Sequence, residues 1–338
     1  MQVKPVNLAL QGGGAHGAFA WGVLDRLLED GRLSFDGVSA TSAGAMNAVA
    51  LAQGLMTGGR AGARHKLAEF WRAVSDSAAR YSPFRQLPWM QGFGGFTLDS
   101  SPLYLMTDMM LRMFSPYQFN PFNFNPLRQV LENHIDFAAL REASPIQLYL
   151  CATNVETGKV RIFDRTQLTP EAVLASACLP FLFQAVEIDG EHYWDGGYVG
   201  NPAIYPLIYD CASQDVLVVH INPIVRRGVP TTAAEILNRI NEVSFNSSLM
   251  REMRAVAFVT SLIEREKVAP GEMKAMRIHS IRSDEAMAEL GVSSKLNADW
   301  EFLCFLRDQG RAEADAWLAA HYGDVGTRSS VDIREEFL

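Results

Sequence analysis

The chain is poor in cysteine. Only Cys151, Cys178, Cys211 and Cys304 occur among 338 residues, widely separated and without a CxxC pair. That spacing argues against a disulfide scaffold and against zinc-ligand patterns, and predicts reduced, buried thiols. The chain also lacks an excess of positive charge: 30 Lys and Arg stand against 38 Asp and Glu, a net charge of −8. Nothing in that balance draws it to nucleic acid or, in general, to anionic lipid. No apolar run reaches transmembrane length, and no secretory leader precedes the first expected strand, so a cytoplasmic location is expected. Internal repeats and low-complexity tracts are missing as well. What is present is 48% hydrophobic and 20% charged residues, proportions that suit a globular protein with a large core.

The order of expected elements is strand, helix, strand, helix through about residue 55. Further strands are expected at Gln147–Cys151, Lys159–Phe163, Val216–Ile221 and Ala275–Ile281. Such alternation predicts an α/β fold: three layers, α/β/α, around a largely parallel sheet. After Pro230 the pattern turns helical, over Thr231–Glu266 and Asn297–His321, with a breaker at Lys267-Val268-Ala269-Pro270-Gly271. A C-terminal helical extension packed on the sheet domain is expected over 226–326. Residues 327–338 carry alternating charge and read as a mobile tail.

Two small-residue turns carry the chemistry. Gly12-Gly13-Gly14-Ala15-His16-Gly17 follows the apolar run Val6-Asn7-Leu8-Ala9-Leu10. Its glycines let backbone N–H groups approach an anion at a helix start. That anion could be a phosphate or an oxyanion. Positions 12, 14 and 17 satisfy G-x-G-x-x-G, and Asp36 stands near the distance a dinucleotide site wants, but before Gly37-Val38-Ser39 rather than after a strand. Ala40-Thr41-Ser42-Ala43-Gly44 resembles a nucleophile elbow, with Ala40 in the place of the first glycine. The plainer reading makes Ser42 an N-cap for a helix over Ala43–Gln53.

A third element offers a base. Ile188-Asp189-Gly190-Glu191 predicts a hairpin turn, and Asp195-Gly196-Gly197 a second tight turn. Asp195 is either an exposed turn residue or a carboxylate that takes the serine proton directly.

Four blocks therefore stand in order: Gly12-Gly13-Gly14-Ala15-His16-Gly17, Thr41-Ser42-Ala43-Gly44, Ala175-Ser176-Ala177-Cys178-Leu179-Pro180 and Asp195-Gly196-Gly197. Together they resemble the patatin-like phospholipase family. Ala152-Thr153-Asn154-Val155-Glu156-Thr157-Gly158 and Asn125-Pro126-Leu127-Arg128 fit the same pattern, and the resemblance spans about residues 5–225. It implies a hydrolase domain over that range and a serine-dependent lipid acyl hydrolase of phospholipase, lysophospholipase or carboxylesterase type. Ser42 is then the nucleophile and Asp195 its base. The oxyanion hole comes from the backbone N–H groups of Gly13 and Gly14, helped by Ala15. No metal or other cofactor is implied; the partner is a lipid or acyl-ester substrate, met in transient contact with a membrane surface. One departure concerns charge: where the family usually carries Arg or Lys, this chain has His16, mostly neutral at pH 7.

Residues 80–126 interrupt the alternation and hold Trp89, Phe93, Phe96, Phe114, Phe119, Phe122 and Phe124. A helix starting near Leu103 puts Leu103, Met106, Met110 and Met113 along one face. The stripe fits a core helix, or a flap whose methionines line an acyl-chain pocket. Two rival functions remain open. One is a Ser-His-Asp triad using His220, at the end of Asp215-Val216-Leu217-Val218-Val219. The other is a nucleotide- or lipid-binding module without turnover.

Overall fold

The computed structural model describes residues 3–82, 96–98, 101–269 and 271–338. In chain order come β1 (Lys4–Leu10), a 3₁₀ turn over Gly14–His16, α1 (Gly17–Asp30), β2 (Leu33–Thr41) and α2 (Ala43–Tyr81). Next are α3 (Pro102–Met113), α4 (Pro116–Phe119), α5 (Pro126–His134), α6 (Phe137–Ala143), β3 (Gln147–Asn154), β4 (Val160–Asp164) and α7 (Pro170–Ser176). The hairpin β5 (Val186–Ile188) and β6 (Glu191–Asp195) follows, then α8 (Tyr205–Asp210), β7 (Asp215–Val219) and α9 (Ala233–Glu264). The chain closes with β8 (Arg277–Ile281), α10 (Asp284–Ala288), α11 (Trp300–His321) and α12 (Ile333–Phe337).

The strands form one sheet ordered β5-β6-β3-β2-β1-β7-β8, with β4 also paired to β3. The pairs β1–β2, β1–β7, β2–β3 and β7–β8 are parallel, while β3–β4, β3–β6 and β5–β6 are antiparallel. Alternation along the central strands explains the layers. Val6, Leu8 and Leu10 of β1 and Leu217 and Val219 of β7 enter one core, with side chains of α1, α2 and α11. Ala9, Val216 and Val218 enter the other, with Leu207 of α8, Leu249 and Met253 of α9 and Phe337 of α12. A strand buried on both faces needs an apolar residue at nearly every position, and β7 is buried throughout. The fold is the expected three-layer α/β/α arrangement with a largely parallel sheet.

Three local expectations change. The helix after Ser42 does not end at Gln53 but runs to Tyr81, bending where Gly58 and Gly59 leave helical geometry. Two helical segments thus meet at a kink, and Gly59 takes the positive φ that glycine permits there. Residues 327–338, expected as a mobile tail, lie along β8: Ile278 N donates to Ser329 Oγ at 3.0 Å, Ser330 N donates to Ile278 O at 3.1 Å, and Phe337 is buried. Nor is α3 a core helix, since Leu103, Leu105, Met106, Met109, Met110 and Met113 are 39% to 67% exposed. Trp89 and Phe93 lie outside the described residues.

The hairpin expectation holds: Asp189 and Gly190 both take positive φ between β5 and β6, as a two-residue hairpin loop requires. Because β1 and β2 are parallel, the glycine turn and Ser42 emerge at the same, carboxyl edge of the sheet, where open α/β sheets hold ligands. Among the described residues no helix is long and apolar enough to cross a membrane.

Candidate active site

Ser42 stands alone between the end of β2 and the start of α2, with φ 56° and ψ −122°. A non-glycine residue in that region is strained and is held there by its surroundings. Its side chain makes no cap bond to α2, so the N-cap reading fails. The small neighbours have a steric cause. A Cβ on Gly44 would strike the carbonyl of Leu10, one on Gly12 would strike Ser42 Cβ, and one on Gly17 would strike Ala43 Cβ. The two turns thus pack backbone against backbone. The elbow is pinned from outside: Ser42 N donates to Ser176 Oγ at 2.9 Å, and Thr41 Oγ1 donates to Gly200 O at 2.6 Å.

Asp195 ends β6, paired with Ala152 of β3, and is fully buried. Its Oδ1 accepts from Gly197 N at 2.7 Å, and Oδ2 has no hydrogen-bond partner among the described residues. Burial pushes its pKa up to about 6; the Gly197 N–H, the Ser42 hydroxyl and the Lys295 ammonium each pull it back down. No hydrogen bond joins Ser42 Oγ to Asp195 Oδ2 in this structure, although the hydroxyl lowers the carboxyl pKa. Catalytic bonds of this kind are often long in free enzymes and tighten with substrate bound.

The glycine loop is fixed from both sides. Gly12 N donates to Asn201 Oδ1 at 2.7 Å, and Asn222 Nδ2 donates to Gly12 O at 2.9 Å. Gln11 Oε1 accepts from Ile221 N and Asn222 N at 2.9 and 3.0 Å. Gly14 takes φ 58°, in the left-handed region. No described residue accepts a hydrogen bond from the amides of Gly13, Gly14 or Ala15. Unused amides at a helix start are what an oxyanion needs.

Gly14, Ala15 and Ser42 line a cavity of about 480 Å³ whose walls include Trp71, Met110, Phe119, Phe124, Leu182 and Phe183. Of the four residues expected at an acyl pocket, Met110 lines it; Leu103, Met106 and Met113 do not, and Thr107 and Leu111 do. The helix α3 is apolar on nearly every side, so its sequence pattern does not say which face turns inward. A second cavity, about 560 Å³ between α8 and α9, holds none of the expected site residues.

Among the described residues, Lys295 is the one ionisable residue in the wall of the Ser42 cavity apart from Tyr81. It belongs to the segment after β8, and no sequence motif marks it. Its Nζ donates to Asn222 Oδ1 at 2.8 Å and to Asn241 Oδ1 at 2.7 Å, and lies 5.4 Å from the ring centroid of Phe245. Burial lowers its pKa to about 8, opposed by Glu242 and Asp195.

The rival residues lie elsewhere. His220 is buried, stacks on Phe337, and has both ring nitrogens unpartnered among the described residues; burial, with Arg282 nearby, lowers its pKa to about 3. Like Asp195, it is absent from the cavity lining; the Ser42 hydroxyl acts on Asp195, whereas the charge that acts on His220 is that of Arg282. His16 turns aside, with Nε2 2.7 Å from Ser294 Oγ and its ring edge-on to Phe302; burial and Lys295 lower its pKa to about 3, leaving it neutral. Asp36 is taken up by the backbone before β7, accepting from Ala212 N and Ser213 N at 2.7 and 2.9 Å. It is therefore not placed to bind a ribose at the glycine loop. Asn201, Ser176 and Asn222, which hold the site together, carry no assigned role in the sequence reading, although Ser176 and Asn201 lie within or beside its blocks.

A family model described as Patatin-like phospholipase matches residues 8–208, and the chain belongs to that family. Among solved structures, VipD from Legionella pneumophila is 15% identical, over 94% of this chain and 67% of its own, with a TM-score of 0.40. Full-length ExoU from Pseudomonas aeruginosa, in complex with SpcU, is 14% identical, over 94% of this chain and 54% of its own, with a TM-score of 0.33. The chain thus spans little more than half the length of that ExoU. No curated protein matches the chain by sequence.

Proposed function

We propose that this member of the patatin-like phospholipase family is a lipid acyl hydrolase working through Ser42 and Asp195. Asp195 Oδ2 takes the proton of Ser42 Oγ, which attacks the ester carbonyl carbon. The carbonyl oxygen becomes an oxyanion held by the amides of Gly13, Gly14 and Ala15. Collapse breaks the bond to the alcohol, which leaves with the proton from Asp195, and the acyl group stays on Ser42. Water, deprotonated by Asp195, then attacks the acyl-enzyme, and the fatty acid departs as Ser42 regains its proton.

One arrangement carries this reading: the strained Ser42 lines an apolar cavity together with Gly14 and Ala15, whose amides have no acceptor among the described residues, and the Ser42 hydroxyl acts on the buried Asp195 carboxylate, one oxygen of which has no partner among them. The apolar walls suit a fatty acyl chain. The exposed methionines of α3 suit a chain that meets lipid surfaces in passing, and the expected location is cytoplasmic or peripheral to a membrane. We also infer that the hydrolase domain over 5–225 needs residues 226–338, which supply β8 and the helices α9 and α11 against the sheet.

The test is turnover of a medium-chain p-nitrophenyl ester, with labelling by a fluorophosphonate. Both are expected in the wild type and absent in Ser42→Ala. Unchanged labelling of Ser42→Ala, or tight nucleotide binding without any ester turnover, would overturn the assignment.

A further inference from the structure

We propose that the cavity between α8 and α9 binds a small organic ammonium, a protonated amine on an apolar body. This cavity shares no lining residue with the Ser42 cavity. Most of its lining lies beyond residue 208, where the family model ends. The proposal stands whether or not Ser42 is a nucleophile.

Shape is the first argument. A volume of about 560 Å³ falls in the range of small-molecule sites. Val256 and Met276 are buried in its wall and supply apolar surface. Tyr205 and Tyr209 stand four residues apart on α8, and therefore on one face of it. Their ring centroids are 6.1 Å apart, with the planes inclined at 53°. The rings are 37% and 75% exposed, so the fold leaves much of their surface uncovered. The face of such a ring attracts a cation.

Charge decides the class of ligand. Among the described residues, the charged groups in the wall are Glu252, Glu272 and Lys274. Lys274 is already engaged: its Nζ donates to Ile208 O at 2.8 Å and to Cys211 O at 2.6 Å, at the C-terminal end of α8. Glu252 is engaged through one oxygen. Its Oε2 accepts from Ile204 N at 2.6 Å and from Tyr205 N at 2.9 Å, which ties the start of α8 to α9. Its Oε1 accepts from no described residue and is not sealed from solvent. The cation whose charge acts on Glu252 is Arg251, which is exposed and outside the cavity lining. Burial pushes the Glu252 carboxyl up to about 7, against the pull of the two N–H groups and Arg251. A half-buried carboxylate without a close counter-charge is costly. An ammonium N–H on Oε1 supplies that charge through a charge-assisted hydrogen bond, and the tyrosine rings give the same cation a second contact. Glu272, exposed beside Met273, adds attraction of the same sign. An alcohol or a carboxylate gains neither.

The competing account is that Glu252 only caps α8 and that the cavity takes up apolar molecules without regard to charge. Calorimetric titration of the full chain with hexylammonium chloride separates the two. It is done at pH 8, where Glu252 is mostly charged, with hexanol and hexanoate as comparisons of equal chain length. Hexylammonium should bind about tenfold or more tightly than either, the scale of one charge-assisted hydrogen bond. Glu252→Gln keeps an acceptor oxygen for Ile204 N and Tyr205 N but removes the charge, and should lower the affinity about tenfold. Ala255→Trp, at an exposed position of α9 in the cavity wall, fills the space and should abolish binding.

No binding of hexylammonium, or equal binding of hexanol or hexanoate, overturns the proposal. So does affinity unchanged in a folded Glu252→Gln, because the carboxylate would then not read the cation. Binding that survives in Ala255→Trp places the ligand elsewhere and overturns the site. If Glu252→Gln fails to fold, the Ala255→Trp variant and the two comparison ligands decide.

Discussion

Asn201 Oδ1 accepts the backbone N–H of Gly12 at 2.7 Å. Asn201 follows shortly after Asp195 in the chain, so the turn that carries the carboxylate also holds the loop that carries the free amides. Ser248 Oγ accepts from Asn201 N at 3.1 Å and fixes this link to α9. Replacing Asn201 with Ala leaves a buried N–H unpaired at a cost of about 1–3 kcal/mol and releases the loop. Thermal stability should fall, and kcat should fall more than KM rises, because in the proposed mechanism the loop acts on the oxyanion and not on the bound ester. A variant with a large KM change and unaltered kcat would contradict this role.

Ser42→Ala removes one oxygen from a position held by Ser176 and by tight backbone contacts. The fold should persist. Hydrolysis should drop by about 10³-fold or more, since nucleophile and base act as a unit. Circular dichroism and a rate assay on the same sample check both halves.

Asp195→Asn should be nearly as inactive and yet more heat-resistant at neutral pH. Burial raises the Asp195 pKa from 3.8 to about 6. Between those values the folded chain binds more protons than the unfolded one, so the group's contribution to stability falls as pH rises to about 6 and stays low above it. The amide removes that penalty. The gain in melting temperature should be larger at pH 7.5 than at pH 4.5, and a loss at both pH values would show that the carboxylate is structurally required.

The same group sets an acid limb in the rate. For a neutral ester, kcat/KM should rise with pH through about 6, where burial has pushed the Asp195 carboxyl, because the charged form is the base. A profile flat from pH 4.5 to 7.5 would mean that Asp195 does not accept the serine proton.

Away from the site, α1 and α11 cross at reciprocal glycines. A Cβ on Gly22 would strike the carbonyl of Arg307, and one on Gly310 the carbonyl of Phe19. Gly22→Ala gains helix propensity of about 1 kcal/mol, but overpacking costs about 1–3 kcal/mol. Net destabilisation is expected, with Gly310→Ala behaving alike; chemical denaturation of both variants is the measurement.

Much of this protein is legible in its sequence because the signals are local. Strand, glycine turn and helix follow one another over Val6–Gly17, and Thr41-Ser42-Ala43-Gly44 shows the small residues that a sharp turn demands. Asp189-Gly190 announces the hairpin that delivers Asp195. Burial of β1 and β7 on both faces requires the apolar runs seen there, which is why the layered fold could be expected.

Other features depend on which surfaces meet, and no local pattern encodes that. Apolar residues surround α3, so only packing decided that Met110, and not Met106, faces the cavity. Whether His16 and His220 carry charge was settled by burial, which disfavours the protonated ring at both. Lys295 comes to the cavity wall from far along the chain because β8 joins the sheet beside β7 and brings the segment after it against Gly14. A turn's chemistry is written in neighbouring residues; the environment of a charge is made by residues distant in sequence, and exists only once the chain has folded.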